Sequence, residues 1–312
     1  MALPLPLALV LALVLALTLS MAGTATAADP SAIVRTEHPI DGEVEDMLWI
    51  GASKQVVILL TDTGRVYRSS NEGLTWVDQT ETLRRVLNQD HANADLEVTA
   101  LIPHDLKADT IFFMGRSHVH WVTHNGGASY TAMENREYPF HEVKFHPLDT
   151  HKLLAATLSE KCTNAAAAGN CYKNLFYSSN SGKSWRFLHH YIVQYDWGHK
   201  LGAHVPHTMA RDAIFFTEYN NKFVDQRFGT WDRDIDFYIT HNLFKTVKKL
   251  VPRGNRFLFT SKYMFIAQVH ERFDNQVNLV ITRDGGATFH EADLPFQVCV
   301  CVCVGFSLFV CV

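Results

Sequence analysis

A polar loop of nearly constant spelling recurs five times along this 312-residue chain, and its spacing constrains the fold more than any other feature. It reads Ser69-Ser70-Asn71-Glu72-Gly73-Leu74-Thr75-Trp76, Thr123-His124-Asn125-Gly126-Gly127-Ala128-Ser129-Tyr130 and Ser178-Ser179-Asn180-Ser181-Gly182-Lys183-Ser184-Trp185. It returns as Thr282-Arg283-Asp284-Gly285-Gly286-Ala287-Thr288-Phe289. A decayed copy, Thr240-His241-Asn242-Leu243-Phe244-Lys245-Thr246-Val247, has lost the glycine and the closing aromatic. From Asn71 through Asn125, Asn180 and Asn242 to Asp284 the steps are 54, 55, 62 and 42 residues. Repetition at that period means stacked copies of one supersecondary unit.

The loop spells a hairpin turn with its own internal wiring. The leading hydroxyl (Ser69, Thr123, Ser178, Thr240, Thr282) and the Asn71, Asn125, Asn180, Asn242 and Asp284 side chains can accept backbone N–H bonds within the turn. Gly73, Gly127, Gly182 and Gly286 supply a positive φ. Trp76, Tyr130, Trp185 and Phe289 open the outgoing strand and can bury large apolar area between neighbouring hairpins. Strand-like text surrounds the copies, as at Gln55–Leu60, Gly64–Arg68, Leu175–Tyr177 and Val277–Ile281. A second submotif, Ile102-Pro103 followed by Thr110–Phe113 and His146-Pro147 followed by Lys152–Ala155, reads as strand, Pro-led turn and buried strand. Four short strands per repeat of roughly 40–60 residues describe the blade of an all-β propeller, so about five blades are expected. Four of the five turns carry Asn where metal or acid–base chemistry would need a carboxylate, so the turns are expected to hold the fold and not to act.

Composition sets the compartment. An uncharged apolar run from Leu3 to Leu19 precedes Ala25-Thr26-Ala27, which predicts a secretory signal peptide over 1–27. An uncleaved anchor is the alternative, although Pro4 and Pro6 shorten the run. In the oxidising lumen that follows, Cys162 and Cys171 bracket a loop between two strands and read as a structural disulfide; metal ligation is the weaker reading, since no second pair sits at zinc spacing. A formal charge of -4 with no basic stripe argues against a nucleic-acid partner. No N-x-[S/T] sequon occurs, and no cofactor motif is present.

Three further constellations stand out in the sequence. His199, His204 and His207 have a spacing that could suit a metal, but the interspersed Gly202 and Pro206 read as an irregular loop. The run Asp232-Arg233-Asp234-Ile235-Asp236 starts like a calcium loop, yet Phe237 and Leu243 stand where glycine and glutamate are required, so a half-buried strand is expected instead. Seventeen histidines would allow pH-dependent behaviour, with no position singled out.

Beyond the turns, several stretches resemble the sortilin family of vacuolar protein-sorting receptors. Tyr138-Pro139-Phe140-His141-Glu142-Val143-Lys144-Phe145-His146-Pro147 with Leu153-Leu154-Ala155 is similar to that family's second-to-third blade passage. Asp212–Tyr219, Arg256–Ser261 and Thr282–Phe289 running into Ala292-Asp293-Leu294-Pro295 resemble later blade strands. Cys162…Cys171 before Leu175-Phe176-Tyr177-Ser178 resembles fungal and protist members. The similarity covers about residues 44–296. It implies a ten-bladed lumenal propeller that binds protein or peptide cargo, vacuolar or lysosomal hydrolases in the family, without catalytic residues. It also implies a Golgi-to-endosome itinerary and membrane attachment through parts with no counterpart here. The family's ligand-contacting residues lie in later blades, so none is assigned. The same turn also occurs in sialidases, which leaves a secreted propeller glycosidase as the alternative, although the early Arg-Ile-Pro segment of such enzymes is missing.

The end of the chain reads differently. Val298-Cys299-Val300-Cys301-Val302-Cys303-Val304 is what a GT dinucleotide repeat encodes, so residues 297–312 are expected to be a non-family tail from a frameshift or read-through. A membrane anchor is disfavoured by the short run; a terminal strand is the other reading.

Overall fold

The computed structural model describes residues 37–51, 54–87, 96–134, 139–159, 162, 171–198, 212–221, 232–260, 263–272 and 276–292, with short strands at 299–300 and 310–311. The expected signal peptide (1–27) and His199, His204 and His207 lie outside the described residues. Twenty strands from Val44 to Glu291 form five four-stranded antiparallel sheets, each a meander in chain order. Sheet I contains β1 (Val44–Ile50), β2 (Val56–Thr61), β3 (Val66–Ser69) and β4 (Val77–Asp78). Sheet II follows with β5 (Val98–His104), β6 (Lys107–Gly115), β7 (Val119–Thr123) and β8 (Thr131–Glu134). Sheet III holds β9 (Phe140–His146), β10 (Asp149–Leu158), β11 (Lys173–Ser178) and β12 (Arg186–His190). Sheet IV is β13 (Ile192–Trp197), β14 (Ile214–Tyr219), β15 (Ile235–Thr240) and β16 (Lys248–Val251). Sheet V is β17 (Gly254–Phe259), β18 (Met264–Val269), β19 (Val277–Thr282) and β20 (His290–Glu291). The distal β21 (Cys299–Val300) and β22 (Val310–Cys311) pair with each other.

The second strands explain the stacking. In a strand, successive side chains point to opposite faces, so a fully apolar run can serve two neighbours at once. On β6, Ile111 and Phe113 pack towards sheet I while Phe112 packs towards sheet III. On β10, Leu153 and Ala155 face sheet II, and Leu154 and Ala156 face sheet IV. On β14, Ile214 and Phe216 face sheet III, and Phe215 faces sheet V. Four apolar clusters therefore join I to II, II to III, III to IV and IV to V, each filled from both sides. This face-to-face succession of four-stranded meanders is β-propeller architecture.

Three local details depart from the sequence reading. Pro103 lies within β5, paired with Ile111, and not in the turn; β5 is an edge strand, where a missing N–H costs no ladder bond. The strand predicted from Asp232 begins at Ile235, so Asp232 and Asp234 sit in the turn before it; Asp232 Oδ1 accepts the Asp234 N–H. A helix the pattern did not reveal, α1 (Thr80–Arg85), follows β4. Gln79 at its N-cap makes no side-chain capping bond; Asp78 before it accepts the Thr80 N–H at 2.7 Å, and the one buried residue of the helix, Leu83, joins the first cluster.

Candidate functional site

The five repeated turns each connect the third and fourth strands of a different sheet, so they are never brought together. Their wiring is nearly identical. In the third, Ser178 Oγ accepts from Asn180 N (3.3 Å) and Gly182 N (2.8 Å), and Asn180 Oδ1 accepts from Ser184 N (3.0 Å). The Asn180 amide also donates to Ser184 Oγ at 2.9 Å. Ser69–Asn71–Thr75 and Thr123–Asn125–Ser129 repeat this set. In the fifth, Asp284 accepts from Thr288 N at 2.9 Å and from Thr288 Oγ1 at 2.5 Å. Partial burial works to raise the Asp284 pKa, but hydrogen bonds from Thr288 and Thr282 outweigh it and hold the carboxyl at about 2. The repeated hydroxyl and Asn or Asp side chains are thus committed to bonds within their own turn.

Two successive residues at the tip adopt the left-handed region: Glu72 and Gly73, Gly126 and Gly127, Ser181 and Gly182, Leu243 and Phe244, Gly285 and Gly286. That pair is what a tight hairpin requires, and the sequence reading anticipated only the second member. At Gly182 a side chain would also strike the preceding sheet, since its Cβ would collide with Met133 Sδ of β8. The closing aromatic then reaches back to that same sheet. Tyr130 packs in the I–II cluster, Trp185 against the II–III cluster and Phe289 against the IV–V cluster.

The fourth turn keeps the wiring without the expected letters. Phe244 N donates to Thr240 Oγ1 at 3.0 Å and Thr246 N to Asn242 Oδ1 at 2.9 Å, with Phe244 at φ +67°. Val247, where the aromatic should stand, is 47% exposed. The Phe244 ring instead enters the III–IV cluster, its centroid 4.6 Å from Phe216 and 5.0 Å from His189, with which it stacks. One residue has thus taken over the packing role of another three positions away.

The first strands tie successive sheets together through polar side chains. From β13 to β9, Tyr195 OH donates to Glu142 O (3.0 Å) and Trp197 Nε1 to Lys144 O (3.4 Å). From β13 to β17, Gln194 pairs with the Phe257 backbone twice, donating to its carbonyl at 2.7 Å and accepting from its N–H at 3.0 Å. Lys144 lies between Glu142 and Asp196, 3.2 Å from each, and 5.3 Å from the centre of the Tyr195 ring. Burial works against its ammonium, but Asp196 and Glu142 hold its pKa above the ordinary lysine value. Burial lowers the pKa of Lys173 and of Arg256, with Glu142 opposing in each case. The strip is therefore a half-buried mosaic of both signs that can recognise a polar segment without covalent chemistry. Its signal in the sequence was the alternation of Glu142 and Lys144, and of Gln194 and Asp196, inside otherwise apolar strands. The sequence reading missed it because that alternation also fits a simple solvated face.

Cys162 and Cys171 are joined in a disulfide, with Cα atoms 4.5 Å apart. Among the described residues no group of three His, Cys, Asp or Glu could hold a metal, and no helix is long and apolar enough to cross a membrane.

Comparison with known proteins adds the following. Residues 64–301 match the profile of the Sortilin-Vps10 family, described as sortilin, neurotensin receptor 3. The vacuolar protein sorting/targeting protein 10 of Emericella nidulans is 22% identical over 256 residues, covering 78% of this chain and 15% of that protein. Its counterpart in Talaromyces marneffei is 24% identical over 296 residues, covering 91% of this chain and 18% of the relative. The chain thus spans less than a fifth of the length of these relatives. Among solved structures, the β-propeller domain of the trilobed protease from Pyrococcus furiosus aligns with a TM-score of 0.47 at 12% identity, covering 82% of this chain and 74% of that one. A xyloglucanase from Xanthomonas campestris aligns with a TM-score of 0.34 at 13% identity, covering 80% and 45%. Neither score is high enough to transfer a site.

Proposed function

This chain belongs to the Sortilin-Vps10 family, and from that premise we propose that it is cargo-binding propeller of a vacuolar sorting receptor. The observation that carries this reading is the family match over residues 64–301, which falls on the repeated four-stranded sheets and not on one isolated motif. Recognition is non-covalent. The first strands present Glu142, Lys144, Gln194 and Asp196 at sheet junctions, where a polar segment of a protein can exchange partners with the ion pairs. Its cargo class is vacuolar or lysosomal hydrolases met in the lumen of the secretory pathway, with delivery from Golgi to endosome. A ring of ten blades and the membrane attachment belong to the same proposal.

The test is direct binding. The chain is immobilised and titrated with precursors of vacuolar hydrolases; saturable binding that weakens in Lys144→Glu is expected. In parallel it is incubated with fluorogenic sialosides and xyloglucan oligomers. Turnover of either glycoside would overturn the receptor reading in favour of a propeller glycosidase.

A further inference from the structure

The first hairpins of sheets II and III are capped by histidines in equivalent places, each ending the first strand. His104 is buried; its Nδ1 accepts the hairpin amides of Leu106 (3.0 Å) and Lys107 (3.1 Å). Its Nε2 lies 3.0 Å from the carbonyl oxygen of His146 on the next sheet. A carbonyl can only accept and an amide N–H can only donate, so the partners assign both nitrogens: Nε2 carries the proton and Nδ1 is bare. His146 repeats the pattern. Its Nδ1 accepts the Leu148 amide at 3.2 Å, and its Nε2 faces Asp212 Oδ1 at 3.5 Å, before β14 of sheet IV. Lys152 donates to the same carboxylate at 2.6 Å. Both rings are packed, His104 against Phe145 (5.2 Å) and His146 edge-on to Trp197 (4.7 Å).

The groups around His104 are Asp105 and Lys107 on its own hairpin, His146 from β9, and His124 from the turn after β7. His124 in turn faces His151 of β10, ring centres 5.4 Å apart, and contacts Thr110 Oγ1 at 3.4 Å. His151 Nδ1 lies 2.7 Å from Ser181 Oγ in the third repeated turn.

We propose that His104 is an acid-operated latch on the first hairpin of sheet II. A proton added to Nδ1 would point at two N–H donors, so His104 can charge only if the Asp105–Leu106 hairpin opens, while Nε2–H can keep its bond to the His146 carbonyl. The environment favours this direction. Burial lowers the His104 pKa, assisted by Lys107 and opposed by the His146 carbonyl and Asp105. The closed form therefore binds fewer protons than the open one, and opening gains progressively as pH falls below the ordinary histidine value of 6.5. The latch concerns the response of the fold to acid and does not rest on the cargo reading.

Hydrogen exchange on the full chain tests it. Protection of the Leu106 and Lys107 amides, corrected for intrinsic rates, is expected to fall between about pH 7 and about pH 5, by up to about 30-fold if the open form titrates normally. The Gly286 amide, bonded to the hydroxyl of Thr282 in sheet V, serves as the control and keeps its protection. In His104→Asn the amide oxygen stands where Nδ1 stood and cannot titrate, so the loss of protection disappears. Protection at Leu106 and Lys107 that is independent of pH overturns the latch, as does an equal loss at Gly286 or an unchanged response in the variant. If the variant does not fold, ring ¹⁵N shifts of the unsubstituted chain decide: a bare Nδ1 at neutral pH supports the latch, and a protonated Nδ1 overturns it.

Discussion

Replacing Phe244 with glycine separates the local from the tertiary reading of the fourth turn, because the two predict opposite signs. In the other four turns this position is Gly73, Gly127, Gly182 or Gly286, all at positive φ. Local reasoning says Phe244→Gly relieves a strained left-handed residue, a gain of about 1 kcal/mol. The structure adds what is lost. The ring is half-buried, so roughly 100 Å² of apolar surface returns to water, costing about 2.5 kcal/mol at about 25 cal/mol per Å². Its contacts with Phe216 at 4.6 Å and His189 at 5.0 Å add about 1 kcal/mol. The net expectation is destabilisation by about 2.5 kcal/mol, a fall in Tm of about 4 °C for a chain of this size. Urea unfolding followed by tryptophan fluorescence measures it. Phe244→Ala should be worse than Phe244→Gly by about 1 kcal/mol, since it keeps the strain and loses the ring. Adding Val247→Trp to Phe244→Gly should restore part of the loss. An unchanged or more stable Phe244→Gly would refute the reasoning, because the ring would then contribute nothing that glycine does not.

Other outcomes follow from the same geometry. His120 is buried between Phe140 (4.5 Å) and Phe112 (5.8 Å), accepts the Gly115 amide at Nδ1, and is held by burial at a pKa of about 3. Its folded pKa is lowered, so the unfolded chain binds more protons below 6.5, and stability present at neutral pH declines as pH falls towards 3. Between about pH 7 and pH 5 this one group removes about 2 kcal/mol, and in His120→Asn that share of the pH dependence should vanish from urea midpoints. Asp284 should remain ionised at about pH 3 by carboxyl ¹³C shift, since its stabilising bonds exist above the ordinary 3.8 and are lost only as pH falls through about 2; a normal titration would contradict the turn wiring. Cys171→Ser opens a loop closed by cysteines 9 positions apart. It should cost about 2.5 kcal/mol, read as a lowered urea midpoint that reducing agent no longer affects.

The sequence by itself determined the turns. Each turn's repeated hydrogen bonds close within five residues, as Ser178 to Gly182 and Asn180 to Ser184 show, so its letters carry its backbone path. The apolar second strands likewise announced burial on both faces, since an alternation of period two leaves no solvent side in a run such as Leu153–Ala156. Only the tertiary structure decided the rest, because the deciding partners lie one repeat away. His104 meets the His146 carbonyl 42 residues on, and Lys144 meets Asp196 52 residues on. Phe244 turns its ring into the sheet before its own, where His189 waits. Local spelling fixes a backbone path because its bonds close within a few residues. It cannot say which neighbour a ring or a proton will find, since that depends on how separate sheets come to face one another.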